Sequence, residues 1–492
     1  VGRKPGDNAR ISRTITGKTA KSSGGTRYAR IAQRLEQAIR DGTYRPGDRL
    51  PSVRELSGLW DASLTTVSAA YHQLERRGLV EARPRSGRVV SVPPPSVPEP
   101  GMSRPDSRPT EVGIGQLALM VLRDAMDANL TPFGPAMPDP AFLPVRELEA
   151  ITAKIARAGS SGIGLYGVPP GSKDLRMRLA RRAMGHGCAL GPDDLVITTG
   201  ALDAVTLALR ATCAAGDTVA IESPMYYGLL QSIEALALRV VEIPTHPRDG
   251  LSLIALREAL DEHRIRAVVA CPNFNNPLGS CASDEAKREL VDLLARRDIP
   301  LIEDDCLGDL AHDGTRPQPA KAFDTRGSVL WCSSFSKTVA PGLRVGWIAP
   351  GRYRAAVEHL QFTNTVAGSP LTQAVMAEFL ASGGHDRFLR RARAAYGERC
   401  ADMAESVARH FPLGTHVTRP SGGFVLWVEL PEAIDAQKLY AAALDARIAI
   451  TPGHLFSAKR RYRHFIRLNA AAWSPAHDVR MQVLGKLAKK MA

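Results

Sequence analysis

In the stretch SSFSKTVAPGLRVGW, residues 333 to 347, one lysine stands between hydroxyl side chains and an apolar run that Gly346 and Trp347 close. An amine so placed has one demanding use, as the nucleophile that meets the aldehyde of pyridoxal phosphate. That role requires anion donors for the phosphate, a carboxylate at the pyridine nitrogen and donors to the phenolic oxygen. Ser334, Ser336 and Arg344 flank Lys337, and TTGALDAV (198–205) sets Gly200 and Ala201 at a strand-to-helix junction. Exposed N–H groups at such a helix start cradle a phosphate. Asp304 closes the apolar stretch PLIEDD, where a carboxylate paired with a protonated ring nitrogen keeps the ring an electron sink. Asn276, before Pro277 in CPNFNNPLG, is a neutral donor, and Tyr226 of ESPMYYG offers a face for stacking. Taken singly, each has a plainer reading, the lysine as a snorkelling surface residue and the others as caps or turns. Their order along one chain points to one site.

Elements able to position these residues are visible in the pattern. Short apolar runs, LVITT (195–199), TVAIE (218–222), AVVAC (267–271), PLIED (300–304), VLWCS (329–333) and VGWIA (345–349), alternate with helical segments such as 284–297. The alternation predicts a mostly parallel sheet covered on both faces. A smaller C-terminal α+β segment follows, with strands near 424–429 and 464–468.

The chain of 492 residues is 44% hydrophobic and 23% charged, which fits a globular protein of several domains. No run of about 18 apolar residues predicts a membrane span and no signal peptide is visible, so a cytoplasmic location without membrane association is expected. Seven scattered cysteines without a CxxC pair predict reduced core residues rather than disulfides or a metal site. Of the net charge of +14, residues 1–108 carry +10, with 20 Lys and Arg against 10 Asp and Glu. That asymmetry suggests a polyanionic partner for the head.

Residues 1–24 are basic and poor in apolar residues, and are expected to form a disordered arm. From 25 to 91 the pattern predicts a DNA-binding module: a helix from Val53 to Trp60, a break at DAS and a second helix from Leu64 to Arg76. In a helix-turn-helix the second helix enters the major groove of double-stranded DNA. Ser63, Thr65, Thr66 and Ser68 cluster at its start, where hydroxyls meet phosphates or base edges. The basic turn Arg83 to Arg88, with Arg85 and Gly87, forms the wing. Residues 92–112 are proline-dense and predict a semi-rigid, extended linker, and the body spans 113–492.

PSVREL followed by TTVSAAYHQLERRGLVEARPRSG resembles the winged helix-turn-helix of GntR-type regulators, which implies that Arg54 contacts DNA. Where that family usually carries arginine after the serine of the turn, this chain has Leu64. TTGALDAV, ESPMYYG, PNFNNPLG, IEDD, SSFSKTVAPGLRVGW and PSGGFVLWVELP together resemble fold type I aminotransferases. The whole chain resembles the MocR (GabR-like) subfamily of GntR regulators. The fold implied is an N-terminal winged helix-turn-helix joined to an α/β pyridoxal-phosphate-dependent transferase domain with a small C-terminal α+β subdomain. The resemblance assigns Lys337 the Schiff base, Asp304 the pyridine nitrogen, Asn276 the O3′ oxygen and Tyr226 the ring face. The phosphate would fall to Ser334, Ser336, Arg344 and the turn Gly200, Ala201, Leu202. Arg467 in HFIRLNAA matches an arginine that clamps a substrate carboxylate. Tyr166 in LYGVPPGSKDLR matches a tyrosine that reaches the partner's site in a head-to-tail, domain-swapped homodimer. The tyrosine usual two or three positions after the aspartate is replaced by Cys306 and Leu307, so one donor to the phenolic oxygen is missing and transamination is expected to be weak at most. The expected function is transcription regulation by an amine or amino-acid effector, or by pyridoxal phosphate itself. A working aminotransferase with a DNA-binding head, and a regulator with a vestigial, cofactor-free body, are the alternatives.

Overall fold

The computed structural model describes residues 27–83, 87–91, 97–124, 126–159, 162 and 164–492. The expected arm (1–24), Arg85 and residues 92–96 of the proline-dense stretch lie outside the described residues. The chain divides into two compact units between residues 94 and 95.

In the first unit, helices α1 (Arg27–Arg40), α2 (Val53–Leu59) and α3 (Leu64–Arg76) precede strands β1 (Val80–Arg83) and β2 (Gly87–Val90). The strands pair antiparallel, with Arg83 opposite Gly87. Apolar residues one helical turn apart make the core: Ile31, Ala32 and Leu35 of α1 meet Leu56 of α2 and Val67, Ala70, Tyr71 and Leu74 of α3. Ser52 and Glu55 form a reciprocal capping box that starts α2. Arg88 lies 4.7 Å over the Tyr71 ring and ties the wing to α3 through Glu75 (2.9 Å).

The second unit is built on a mixed sheet. Its strands are β3 (Thr110–Glu111), β4 (Val196–Thr198), β5 (Thr218–Ser223), β6 (Arg239–His246), β7 (Ile265–Ala270), β8 (Leu301–Asp304), β9 (Val329–Ser334) and β10 (Gly346–Ala349). They lie in the order β3-β6-β5-β7-β8-β9-β10-β4, and the two-residue strand Gly250–Leu251 pairs with β6. Neighbours from β6 to β9 are parallel. Alternate residues enter two separate apolar cores: Val219, Ile221, Val269 and Ile302 face one, and Ala220, Val241, Val268 and Leu301 the other. Both faces are thus buried, as near-continuous apolar strands require. Strand β10 departs from the parallel expectation, running antiparallel to both β9 and β4. The connection 335–345 carries no crossover helix, only short turns that return the chain antiparallel beside β9, and Lys337 sits in it. A four-stranded antiparallel sheet (His416–Val417, Val425–Glu429, Phe465–Asn469, Thr451–Pro452) forms the C-terminal α+β part.

The proline-dense stretch differs from a free linker wherever it is described. From Val97 to Glu111 it is strapped to the body: Pro98 O accepts from Val417 N–H (2.9 Å), Ser103 Oγ accepts from Thr245 N–H (2.8 Å), and β3 pairs antiparallel with β6. Polyproline-like backbone leaves its carbonyls free, and Arg419, Arg461 and Lys459 donate to those of Val97, Arg104 and Arg108.

Candidate functional site

Strand β9 ends at Ser334 and β10 begins at Gly346, and these two residues are register partners, while Gly346 also faces Thr198 of β4. A Cβ on Gly346 would overlap the backbone of Gly200, so glycine there lets the lysine-bearing loop close on the start of the helix Ala201–Thr212. Gly200 itself has φ 96°, and a Cβ on it would run into the Arg344 guanidinium. Arg344 is held left-handed (φ 52°, ψ 49°), with Nη2 donating to Thr199 O (2.9 Å) and Nη1 to Ser336 Oγ (3.2 Å). Strain of this kind persists where surrounding contacts fix it, and gathers at ligand clamps. The helix start carries no side-chain cap, so its first N–H groups, including those of Ala201 and Leu202, are left for a ligand. Ser334 is buried, Ser336 half-buried, and Ser334 Oγ accepts from Ser336 N–H (3.4 Å). Backbone N–H groups, hydroxyls and a guanidinium therefore converge as an anion cradle.

Beside the cradle, Lys337 Nζ donates to Ala136 O. Burial drives its pKa down to about 8, opposed by the Cys306 thiol and Asp304 and assisted by Arg467 and Arg344. Asp304 ends β8 and accepts from Cys306 N–H (3.2 Å). Burial raises its carboxyl pKa, Asp305 adds to that, and Lys337 opposes it. Tyr226 caps the helix Tyr227–Ala235 and lies 4.8 Å from the Tyr227 ring. Burial raises its hydroxyl pKa, with Arg467, Asp304 and Cys306 also in electrostatic reach. Asn276 Oδ1 accepts from Arg467 Nη1 (3.1 Å). Lys337, Asp304, Tyr226, Asn276, Arg344 and Arg467 thus lie within electrostatic or hydrogen-bond reach of one another.

Arg467 is the most constrained of them. It is 0% exposed, on the strand Phe465–Asn469 between Trp427 and Thr451. Nη2 donates to Gly134 O (2.6 Å) and Thr451 Oγ1 (3.2 Å), while Nε has no partner. Phe456 and Tyr227 rings lie 5.3 and 5.8 Å from its Cζ. No carboxylate forms an ion pair with it among the described residues, and burial lowers its pKa.

The two positions that replace the expected tyrosine have different fates. Leu307 is buried with Phe274 and Phe424 in the apolar core and is no part of the site. Cys306 faces it, with Sγ 3.7 Å from Ser334 Oγ. Tyr166, 90% exposed, has no partner among the described residues, and its own chain does not bring it into the site. The carbonyls of Gly134 and Ala136 belong to the site without leaving any mark in the sequence, since every residue carries one.

In the head, Arg54 is exposed and makes no ion pair or hydrogen bond among the described residues. Ser63 Oγ accepts from Thr66 N–H (3.1 Å) and lies 2.8 and 2.7 Å from the hydroxyls of Thr65 and Thr66, so these side chains first of all start α3. Ser63→Ala should cost about 1 kcal/mol in stability of the head, read as faster amide exchange across the first turn of α3. Leu64 is 51% exposed beside them, and Ser68 is half-buried. Gly87 opens β2 with φ 79°, and the Arg49 guanidinium lies 3.4 Å from where its Cβ would be. Arg49, exposed at the root of the wing, was not singled out by spacing.

Comparison with known proteins agrees with both units. Residues 139–481 match the family "Aminotransferase class I and II", and residues 27–90 match "Bacterial regulatory proteins, gntR family". The HTH-type transcriptional regulator YjiR of Escherichia coli (strain K12) is 38% identical over 91% of this chain and 95% of its own. For YdcR of the same organism the figures are 36%, 94% and 98%. Among solved structures, LysN, the alpha-aminoadipate aminotransferase of Thermus thermophilus, complexed with N-(5'-phosphopyridoxyl)-L-leucine, superposes with a TM-score of 0.70. It is 27% identical, covering 75% of this chain and 95% of that one. Full-length regulator relatives, a GntR head and a fold type I body together establish that the chain belongs to the MocR type of GntR-family transcription regulators.

Proposed function

We propose that this DNA-binding regulator holds pyridoxal phosphate in its body and uses it to sense an amino acid. The observation that carries the reading is Arg467, a fully buried guanidinium with a free Nε and no carboxylate partner among the described residues. A buried cation left without an anion is costly, and the carboxylate of an amino-acid effector would complete it in a bidentate pair. The residues around it fit the cofactor. Gly200, Ala201, Leu202, Ser334, Ser336 and Arg344 would hold the phosphate, Asp304 the pyridine nitrogen, Asn276 the phenolic oxygen, and Tyr226 the ring face. When bound, the cofactor supplies an aldehyde that captures primary amines. Lys337, with its pKa lowered to about 8, keeps a fraction of neutral amine at neutral pH for that aldehyde. In a head-to-tail pair of chains the exposed Tyr166 would enter the site of the second copy.

Regulation follows by linkage: an effector that binds one arrangement of the body better shifts DNA affinity with it. The strap 97–111 is the covalent route to the head. It is bonded to the C-terminal part that carries Arg467, through Val417, Arg419 and Arg461, and to the sheet through Thr245 and Val240. Arg54 and the start of α3 would make the operator contacts.

The test is the visible absorbance of dialysed protein after addition of pyridoxal phosphate, beside Lys337→Ala. Absorbance retained by the native chain and lost in the variant is expected. No retained absorbance in either would leave a DNA-binding regulator without a cofactor.

A further inference from the structure

Glu222 takes no part in the contacts described so far, although it belongs to the strand that leads into Tyr226. Its side chain is 1% exposed. One oxygen, Oε2, accepts from the Cys271 backbone N–H (2.8 Å) and from Asn275 Nδ2 (2.6 Å). Asn275 organises the turn that follows: its Oδ1 accepts from Leu278 N–H (3.2 Å), its N–H donates to Ser280 O (2.9 Å), and its carbonyl accepts from Gly279 N–H (2.6 Å). Asn276, next in the chain, is thereby aimed at Arg467. On the other side, Ser223, which follows Glu222, bonds through Oγ to the Tyr462 hydroxyl (2.7 Å), and Met225 N–H donates to Phe456 O (2.9 Å). Those two bonds fix the approach of Tyr226. A carboxyl group in a wholly buried position is an expensive way to join two loops if packing alone were needed.

We propose that Glu222 is a positioning residue of the cofactor site: it locks the loop 271–281 to the strand β5, so that Asn276, for the phenolic oxygen, and Tyr226, for the ring face, are set together. The inference rests on the cofactor reading above. Burial raises the Glu222 carboxyl pKa to about 7, with its two donors opposing and the Asp304 charge adding to the rise. The clamp therefore has two donors for an oxygen that is only partly charged at neutral pH, and removing it leaves Cys271 N–H and the Asn275 amide without an acceptor.

The experiment uses the full chain loaded with pyridoxal phosphate and follows the pH midpoint of its visible absorbance change. A donor to the phenolic oxygen favours the ionised form and lowers that midpoint. Asn276→Ala should raise it, and Glu222→Ala should raise it in the same direction by about half a unit or more. The double variant should go no further than Asn276→Ala alone, because both act through one donor. Glu222→Gln, which keeps one acceptor oxygen, should recover at least part of the shift. In the cofactor-free protein, amide exchange at Cys271 and across 274–281 should quicken in Glu222→Ala while the other strands of the sheet keep their protection. A midpoint unchanged in Glu222→Ala, or shifts that add in the double variant, would overturn the proposal. Absence of visible absorbance in the native chain would instead remove the cofactor reading on which it stands, and the proposal with it.

Discussion

Arg467→Leu is expected to weaken binding of an amino-acid effector by about 2–5 kcal/mol, roughly 30-fold or more, while leaving binding of the corresponding amine without its carboxylate nearly unchanged. The argument is one of charge and desolvation. Gly134, Thr451 and Asn276 offer the guanidinium only neutral acceptors, at 2.6, 3.2 and 3.1 Å, and Nε has none. These bonds orient the fork without neutralising it, so a pair with a carboxylate would be made only on arrival of a ligand that carries one. Arg467→Lys keeps the charge but not the two parallel donors, and should recover only part of the loss. Thermal unfolding separates this role from a structural one: removing an uncompensated buried cation should leave the ligand-free body equally stable or more stable. Titration of visible absorbance with matched acid and amine pairs checks the first claim. Equal losses for both members of a pair would make Arg467 a packing residue.

The strands were legible because β5, β7, β8 and β9 are buried on both faces and so appear as unbroken apolar runs. VGWIA is as apolar as its neighbours, and nothing in its pattern marks it as antiparallel. The site was legible where a side-chain type carries the chemistry. Lys337, Asp304, Asn276 and Tyr226 have few other uses in such company, Arg467 is pointed to by the family resemblance alone, and the geometry brings the five together. It was not legible where backbone atoms act, as with Gly134 O and Ala136 O, nor where two adjacent positions were equivalent in sequence. Cys306 and Leu307 separate only once the chain leaves β8 and turns one toward Ser334 and the other into the core. Tyr166 is 90% exposed, and no feature of its own chain marks what it would meet. Along 97–111 proline density reports stiffness and missing N–H donors, and is silent on whether arginines elsewhere will bond to the carbonyls.

Arg316→Met should destabilise the body by about 3–5 kcal/mol, since it leaves the buried Asp305 carboxylate without its counter-ion and removes one of the two arginines at Asp309. Arg316 pairs with Asp305 Oδ2 and, through Nε, with Asp309 Oδ1 at 2.6 Å; its side chain is 8% exposed, those of Asp305 and Asp309 0% and 15%. Asp305 is also bound by Asn273 Nδ2 (3.0 Å) and Trp331 Nε1 (2.8 Å), while Arg182 stands 3.5 Å from Asp309. Burial opposes ionisation of Asp309, but Arg316 and Arg182 outweigh it and hold its carboxyl well below the usual carboxylate range. A carboxyl with a depressed folded pKa contributes stability above its unfolded value, near 4, and loses it as pH falls through the folded one. The gap between native and variant chains should therefore be full at pH 7. It should narrow below about pH 4, where the variant's unpaired carboxyls take up protons first. Adding Asp309→Asn to the variant should restore part of the loss at neutral pH, because it removes one of the two charges that lost Arg316. Denaturant unfolding of the cofactor-free chain at the two pH values measures both effects. The consequence reaches the site, because Asp305 follows Asp304 directly and its carbonyl accepts from Ser333 Oγ at 2.9 Å. Freed from Arg316, Asp305 should hold the end of β8, and with it Asp304, less firmly. Affinity for pyridoxal phosphate should fall in the variant even at temperatures where the fold survives.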